Sequence, residues 1–167
     1  MAPFDPHVTP AAYLRDTLAP VLCDAYQLDS DRVALCGVGM GGQGALNLAF
    51  RHARQFRTVV AIAPDIDFHQ WYGQGLPIDR MFPSQEAARQ QTAVLHLHPL
   101  NWPRSMLLLC DPANRACFDG TERLASKLYS SGVPFEQDLS TTVGEPGWKY
   151  VERVIGRAVE FISGAIG

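Results

Sequence analysis

The sequence contains no uninterrupted apolar run close to the roughly 18 residues that a membrane-spanning helix requires. Its start, MAPFDPHVTP, also lacks the basic stretch followed by an apolar stretch that marks a secretory leader. Charge of one sign is scarce, because 14 Lys and Arg stand against 17 Asp and Glu and no run of like charges occurs. These absences predict a soluble, cytoplasmic protein that binds neither membrane nor nucleic acid.

Groups of metal-binding or disulfide-forming residues are also sparse. The four cysteines are too few for a disulfide framework and form no C-x-x-C pair, so we expect reduced structural thiols. His96 and His98 lie two residues apart, and Asp65, Asp67 and His69 follow an i, i+2, i+4 spacing that metal ligands can use. Neither set completes four ligands, so the sequence predicts no metal and no other cofactor.

The apolar pattern predicts one α/β domain over residues 1–167, with a mostly parallel sheet of about four strands between layers of helices. A predicted helix from Thr9 to about Gln27, bent at Pro20, precedes the first strand. Strands are predicted at Arg32–Cys36, Thr58–Ala63, Ser105–Cys110 and Phe135–Leu139. Further helices are predicted at 40–54, from Ser84 to about Val94, from Thr121 to Gly132 and from about Pro146 onward.

Glycines crowd the junction between the first predicted strand and the helix after it. Gly37, Gly39 and Gly42 satisfy G-x-G-x-x-G, the pattern with which dinucleotide-binding proteins bring a pyrophosphate to a helix N-terminus. Asp65 follows the next strand, where an acidic residue for the ribose is expected. The dinucleotide-binding fold usually begins with this strand, whereas here a helix precedes it. A dinucleotide-binding module is therefore the alternative interpretation rather than the first one.

The same junction, GVGMGG, has the flanks of a nucleophile elbow, G-x-S-x-G, in which a sharp turn lifts a serine above the sheet. It resembles the G-x-S-M-G-G elbow of the putative esterases in the α/β-hydrolase superfamily, the group that contains S-formylglutathione hydrolases and antigen-85-like acyltransferases. The resemblance continues through AIAP at 61–64, HPLNWP at 98–103 and LASKLYSSGVP at 124–134. Gly39 occupies the nucleophile position.

The resemblance also implies where the other two triad residues belong. The family's acid is the fourth residue of a turn after the next-to-last strand, which here is Asn114, and Asp111 or Asp119 is near enough to substitute for it. The family's histidine belongs to a G-G-H-x-W segment before the last helix, and Pro146 stands in its place. All three catalytic residue types are therefore replaced.

These replacements remove the chemistry that the family's mechanism needs. A glycine forms no acyl-enzyme, a proline carries no proton, and a neutral asparagine does not stabilise an imidazolium. We therefore predict a catalytically inactive, esterase-like protein with a binding or assembly role. The alternative is an active carboxylesterase or thioesterase-type serine hydrolase, completed by unidentified residues or another chain. The candidate residues of a remaining ligand pocket are Gly37, Val38, Met40 and Trp148.

The resemblance implies that about four strands precede the elbow strand in relatives. This chain would then be the C-terminal half of an α/β-hydrolase fold, truncated at its N-terminus. The elbow strand, Arg32–Cys36, would have an unpaired apolar edge, which folded proteins pair or cover. We expect the cover to be a second copy related by a two-fold axis, a partner chain, or the segment before Thr9.

Overall fold

A four-stranded parallel sheet forms the middle layer of the protein in the computed structural model, which describes residues 9–29, 32–144 and 147–167. The strands lie side by side in chain order. Their bounds are β1 Ala34–Val38, β2 Thr58–Ile62, β3 Ser105–Leu109 and β4 Glu136–Asp138. Parallel neighbours require crossover connections, which the helices supply.

Helices precede, connect and cover the strands. The first helical stretch comprises α1 (Pro10–Tyr13), a π-helical turn (Leu14–Leu18) and α2 (Ala19–Tyr26). Helix α3 (Met40–Arg51) connects β1 to β2. The connection to β3 contains two 3-10 turns, Phe68–Trp71 and Ala93–His96, and the short helices α4 (Ile78–Met81) and α5 (Gln85–Arg89). Helix α6 (Arg115–Ser130) precedes β4, and α7 (Trp148–Ile166) follows it.

The two central strands are apolar on both faces, which is why helices cover the sheet on both sides. Neighbouring β2 residues Val59 and Val60 point to opposite faces and are both fully buried. Val59 packs in the cluster that includes residues of α3 and α6, and Val60 packs against α7. The predicted three-layer α/β fold with a parallel sheet is therefore confirmed.

The bounds predicted for the first strand are wrong. The strand covers Ala34–Val38 rather than Arg32–Cys36. Gly37 and Val38 continue the parallel register with β2, opposite Ala61 and Ile62, before the chain turns. The turn residues of the glycine cluster therefore begin two positions later than the apolar pattern indicates.

Two predicted helices also differ from the structure. Helix α6 begins at Arg115 rather than at Thr121, and it includes Gly120. A Cβ at Gly120 would lie 3.0 Å from Ile66, so close packing accounts for a residue that is unfavourable inside a helix. The helix predicted over 84–94 is interrupted, since α5 ends at Arg89 and a 3-10 turn begins at Ala93.

The helical stretch before β1 is poorly buried although many of its residues are apolar. Among the described residues of this stretch, only Ala19 is buried. Val21 and Leu22 are exposed by 58% and 41%. A π-helical turn ends at Leu18, two residues before Pro20, where a bend is predicted. The described part of this helical stretch therefore carries exposed apolar side chains.

Two expectations from the composition concern the described residues, and a third, from the strand edge, lies outside them. None of the described helices is long and apolar enough to cross a membrane. The cysteines are free, with Cys110 and Cys117 buried and Cys36 exposed. Residues 1–8, one of the predicted covers for the strand edge, lie outside the described residues.

Candidate functional site

Gly39 forms the turn between β1 and α3, with φ 57° and ψ −124°. Residues that carry a side chain rarely adopt these backbone angles, whereas glycine adopts them without the steric penalty of a Cβ atom. Its N–H donates to the Ile62 carbonyl at 3.0 Å, and its carbonyl accepts the N–H groups of Gln43 at 3.0 Å and Asp65 at 3.1 Å. The backbone thus holds a sharp elbow from which no side chain projects.

Two neighbouring glycines let the strand and the helix of the elbow touch. A Cβ on Gly37 would lie only 2.1 Å from the Gly41 carbonyl oxygen. A Cβ on Gly42 would lie 3.1 Å from the Cβ of Pro64. Close contact between backbone segments therefore gives the G-x-G-x-x-G spacing a packing reason, independent of any nucleotide.

The carboxylate of Asp65, from the loop after β2, lies over the elbow. A Cβ built on Gly39 would be 3.0 Å from Asp65 Oδ2. The carboxylate accepts hydrogen bonds from the Met40 N–H and from the Cys117 thiol, whose Sγ is 3.2 Å from Oδ1. The N–H after the nucleophile position is a donor of the oxyanion hole in active elbows. Asp65 thus fills the space and uses the donor that acyl transfer would need.

Burial raises the pKa of Asp65 above its usual value, although the hydrogen bonds from Cys117 and Met40 oppose this shift. A raised folded-state pKa means that this group stabilises the fold most below the pKa of an unfolded Asp, about 3.9. That contribution is lost as the pH rises through the folded pKa. At neutral pH the ionised side chain therefore reduces stability relative to its protonated form.

Two of the candidates for the triad acid, Asn114 and Asp111, make different contacts. Asn114 precedes α6, and its amide donates to Cys117 Sγ at 3.4 Å. Asp111 is buried and accepts the N–H groups of Ala113 at 2.7 Å and Val143 at 3.0 Å. Burial alone would raise the pKa of Asp111, but these hydrogen bonds outweigh it and hold the pKa below its usual value. Asp111 is thus an ionised anchor between two loops.

The remaining triad candidates do not contribute a base in the described structure. Pro146 lies outside the described residues, which continue at Gly147. Asp119 forms an ion pair with Arg115 at 3.5 Å on the exposed side of α6. Among the described residues that line the space over Gly39, none is a histidine.

A pocket of about 260 Å³ opens between the elbow and the start of α7. The hydroxyl of Tyr150, one of its lining residues, is buried and has no hydrogen-bond partner among the described residues. Of the predicted pocket residues, Val38 and Trp148 line this space, whereas Gly37 packs against α3 and Met40 contributes its N–H to Asp65. The described lining comprises Val38, Gly39, Ala63, Asp65, Asp111, Asn114, Cys117, Gly147, Trp148, Tyr150 and Val151.

Several of the side chains with metal-ligand spacing have other partners, whereas His69 Nδ1 is buried without a hydrogen-bond partner among the described residues. Asp67 pairs with Arg123, and His96 Nε2 lies 2.7 Å from an Arg51 nitrogen. Asp65 is directed to the elbow, as described above. Within 9–29, 32–144 and 147–167, no group of three or more His, Cys, Asp or Glu side chains is arranged to hold a metal ion.

The family model described as Putative esterase matches residues 6–110 of the chain, which includes the elbow and the Asp65 loop. This chain belongs to the putative-esterase family. The family predicted from the elbow motif is therefore confirmed. The match ends before Asn114 and Pro146. No curated protein sequence matches the chain significantly.

Solved structures share the fold of this family member at low sequence identity. A ferulic acid esterase superposes with a TM-score of 0.78 at 19% identity over 99% of this chain and 65% of its own. S-formylglutathione hydrolase from Agrobacterium tumefaciens gives 0.74 at 15% identity, over 93% and 57%. MPT51 from Mycobacterium tuberculosis gives 0.74 at 17% identity, over 94% and 68%. This chain therefore spans less than two thirds of the first and second of these structures.

The residue that sequence reasoning placed least well in this putative-esterase member is Asp65. Its spacing from the glycines indicated a ribose contact, and its spacing from Asp67 indicated a metal ligand. It lies over Gly39 because β1 and β2 are parallel neighbours, so the loops at their carboxyl ends meet. Cys117 reaches the same place from α6 and carried no sequence signal for a site.

We expect Asp65→Asn to raise stability at pH 7 and to leave it nearly unchanged at pH 3.5. The substitution removes the buried charge, which is absent from both states at low pH, so the gain appears only as the pH rises above about 4. Urea unfolding at several pH values measures this difference. The control is Asp67→Asn, which breaks the Arg123 pair and should show no such gain. A loss of stability at pH 7 in Asp65→Asn would contradict the prediction.

Proposed function

We propose that this putative-esterase family member does not hydrolyse esters and has kept the elbow pocket as a binding site. The observation that carries this proposal is the conformation and environment of Gly39. The turn has the sharp geometry expected of an elbow, but the position carries no nucleophile, and the Asp65 carboxylate lies 3.0 Å from where a Cβ would be.

The described pocket offers no substitute for the missing serine. Cys117 is the one thiol among its described lining residues. Burial, followed by the neighbouring Asp65 carboxylate, raises the pKa of Cys117 to about 12. The thiol is therefore protonated at neutral pH and donates a hydrogen bond, whereas a nucleophilic cysteine must be a thiolate.

The electrostatics of the pocket also oppose acyl transfer. An oxyanion that develops over the elbow would meet the Asp65 carboxylate, which already accepts the Met40 N–H. Oxyanion holes accelerate reactions because preorganised donors point at the developing charge. Here that donor is occupied and the charge beside it is negative, which destabilises such a transition state.

The pocket is suited to bind a small ligand without catalysing a reaction. Its walls include the apolar side chains Val38, Trp148 and Val151, and its lining carries the carboxylates of Asp65 and Asp111. The orphaned Tyr150 hydroxyl is a buried polar group that an acceptor on a ligand would satisfy. This lining favours a small ligand that is neutral or cationic, with an apolar part and a hydrogen-bond acceptor.

An esterase assay tests the proposal directly. We expect no hydrolysis of p-nitrophenyl acetate above buffer and no stoichiometric labelling by a fluorophosphonate probe. Gly39→Ser should remain inactive, because no histidine lines the described pocket and the Asp65 carboxylate crowds the new side chain. It should also lose about 1 to 3 kcal/mol of stability, the usual cost of a strained backbone. Stoichiometric labelling of the native chain would overturn the proposal.

Dinucleotide binding is the weaker candidate on this geometry. The G-x-G-x-x-G glycines pack strand against helix, and the Asp65 carboxylate already lies against the Met40 N–H at the start of α3. A pyrophosphate at that helix terminus would meet like charge. We expect no thermal shift with NAD, NADP, FAD or ATP, since a ligand raises the melting temperature only when it binds the folded state.

A further inference from the structure

The elbow pocket carries negative charge that its own lining does not balance. Asp65 and Asp111 contribute two carboxylates, and the described lining contains no Lys, Arg or His. Arg115, the first residue of α6, pairs with Asp119 and lies over the Phe118 ring. Within the described lining, a cation that balances the two carboxylates therefore has to come from a ligand.

The two carboxylates differ in what they offer to such a ligand. Asp111 is 1% exposed, and both of its oxygens accept backbone N–H groups, from Ala113 and Val143. It therefore contributes its charge rather than an open oxygen. Asp65 is only half-buried, so a ligand in the pocket can contact its carboxylate. A cation at Asp65 is attracted by Asp111 as well, and burial strengthens that attraction relative to water.

The Asp65 carboxylate has capacity for further hydrogen bonds. An ionised carboxylate has about four acceptor sites on its two oxygens. In the described structure the Met40 N–H and the Cys117 thiol use two of them. An ammonium group supplies both the donors for the remaining sites and the balancing charge, and such charge-assisted hydrogen bonds are roughly twice as strong as neutral ones.

Tyr150 is a second, independent feature of the pocket that indicates a ligand. The residue is 2% exposed, and its hydroxyl has no hydrogen-bond partner among the described residues. Burial, followed by the nearby Cys110 thiol and the Asp138 and Asp111 carboxylates, raises the pKa of this hydroxyl, so it keeps its proton and can donate. An ammonium group has no lone pair to accept that donor. The ligand therefore needs an oxygen acceptor in addition to its amine.

Apolar walls and a small volume limit the rest of the ligand. Val38 ends β1, and Trp148 and Val151 lie in the first turn of α7. Trp148 is 72% exposed, so its ring stands on the solvent side of the pocket. The volume of about 260 Å³ is just below the range of about 300 to 1,000 Å³ that is typical of ligand pockets. One ring or a short chain fits such a space.

We propose that the elbow pocket binds a small primary amine that carries an apolar group and a hydroxyl or ether oxygen. The ammonium group donates to Asp65, the oxygen accepts from the Tyr150 hydroxyl, and the apolar group packs against Trp148 and Val151. This inference rests on the proposed function, because it names the ligand class of a pocket that binds without turnover.

Calorimetric titration with compounds that share one phenethyl group tests the charge. We expect phenethylamine to bind at least about tenfold more tightly than phenethyl alcohol, which has no charge, and than phenethyltrimethylammonium, which has no N–H to donate. Equal affinity for either comparison compound would overturn the inference and leave the proposed function standing, since the pocket would still bind a ligand. If none of the three binds, both fail. Hydrolysis of p-nitrophenyl acetate would overturn the proposed function alone.

Asp65→Asn tests the ammonium contact in a variant that is expected to be more stable than the native chain at pH 7. Its affinity for phenethylamine should fall at least about tenfold. Asp67→Asn is the matched control, because Asp67 pairs with Arg123 outside the described lining, and its affinity should stay unchanged. Equal affinity of Asp65→Asn and the native chain would overturn the inference.

The affinity should also depend on pH through Asp65. The pKa of Asp65 is raised, and a bound cation favours the ionised form, so phenethylamine should bind more tightly as the pH rises from about 4 to 7. The groups that face Asp65 do not titrate there, because the pKa values of Cys117 and Cys110 are raised to about 12 and about 11 and that of Asp111 is lowered. A pH dependence that persists in Asp65→Asn would contradict the assignment.

Phenylethanolamine, which adds a hydroxyl to phenethylamine, tests the oxygen acceptor. We expect it to bind about two- to tenfold more tightly than phenethylamine, the usual gain from one neutral hydrogen bond. Tyr150→Phe should remove this gain and leave the affinity for phenethylamine unchanged, which also shows that the variant keeps its pocket. If the native chain shows no gain, or if Tyr150→Phe retains it, the assignment of the oxygen to Tyr150 is overturned.

Discussion

Replacing Gly37 by alanine is expected to cost about 4 kcal/mol or more of folding free energy, which would unfold much of a marginally stable domain. The new Cβ would lie 2.1 Å from the Gly41 carbonyl oxygen and 2.7 Å from the Gly42 nitrogen. Both are backbone atoms in the first turn of α3, so no side chain can rotate away. Relief requires the helix to move off a core in which Leu46 and Phe50 are fully buried.

The matched control is Gly41→Ala in the same elbow. A Cβ at Gly41 meets no atom within 4 Å, and the residue lies inside α3. Alanine is favoured over glycine in a helix by about 1 kcal/mol, so this variant should be neutral or slightly stabilised. Urea unfolding monitored by circular dichroism measures both variants. Equal midpoints would contradict the close strand-helix contact on which the elbow depends.

Removing the Asp138 carboxylate is expected to destabilise the protein by about 2 to 4 kcal/mol at pH 7. This side chain accepts the N–H and hydroxyl groups of both Ser140 and Thr141 at 2.7 to 3.0 Å, and it pairs with Arg157 at 3.1 Å. It thereby connects the end of β4 to the following loop and to α7. Asp138→Ala leaves these donors without their acceptor.

The effect should depend on pH in a defined direction. Burial alone would raise the pKa of Asp138, but the hydrogen bonds from Thr141 and Ser140 outweigh it and hold the pKa far below its usual value. A depressed pKa gives stability that is present above about 3.9 and is lost as the pH falls toward the folded pKa. The difference between Asp138→Ala and the native chain should therefore shrink below pH 4.

Glu136→Ala provides the control for Asp138, because both carboxylates lie on β4 and face the same arginine. Glu136 is 62% exposed, and its oxygen is 4.0 Å from Arg157. An exposed pair of this kind contributes about 0 to 1 kcal/mol. Chemical unfolding at pH 7 and pH 3 measures both variants. If the two lose the same stability at pH 7, the Ser140 and Thr141 hydrogen bonds are not the source of the effect.

The fold was predictable where local patterns are unambiguous. Strands β2 and β3 end within one residue of the predicted bounds. A strand that is buried on both faces has a continuous apolar sequence, which is easy to recognise. The start of α6 was not predictable, because a glycine such as Gly120 usually indicates that a helix ends or begins nearby. Its close approach to Ile66 favours glycine only once the sheet has assembled.

The candidate site was predictable only in part. The sequence predicts that Gly39 lies in a turn between a strand and a helix, because a glycine-rich segment after an apolar strand is typical of such a turn. The position of the Asp65 carboxylate over that turn depends on the β1 and β2 pairing. The hydrogen bond from Cys117 depends in addition on how α6 packs beside the sheet.

The amino-acid sequence by itself determined the α/β class, the family and the residue types that stand at the elbow and at the acid position. These follow from local periodicity and from a contiguous motif, which need no knowledge of distant contacts. Only the tertiary structure decided that Asp65 fills the elbow and that the Tyr150 hydroxyl finds no hydrogen-bond partner among the described residues. Those properties arise between segments far apart in the chain, where strand order and helix packing fix which groups meet.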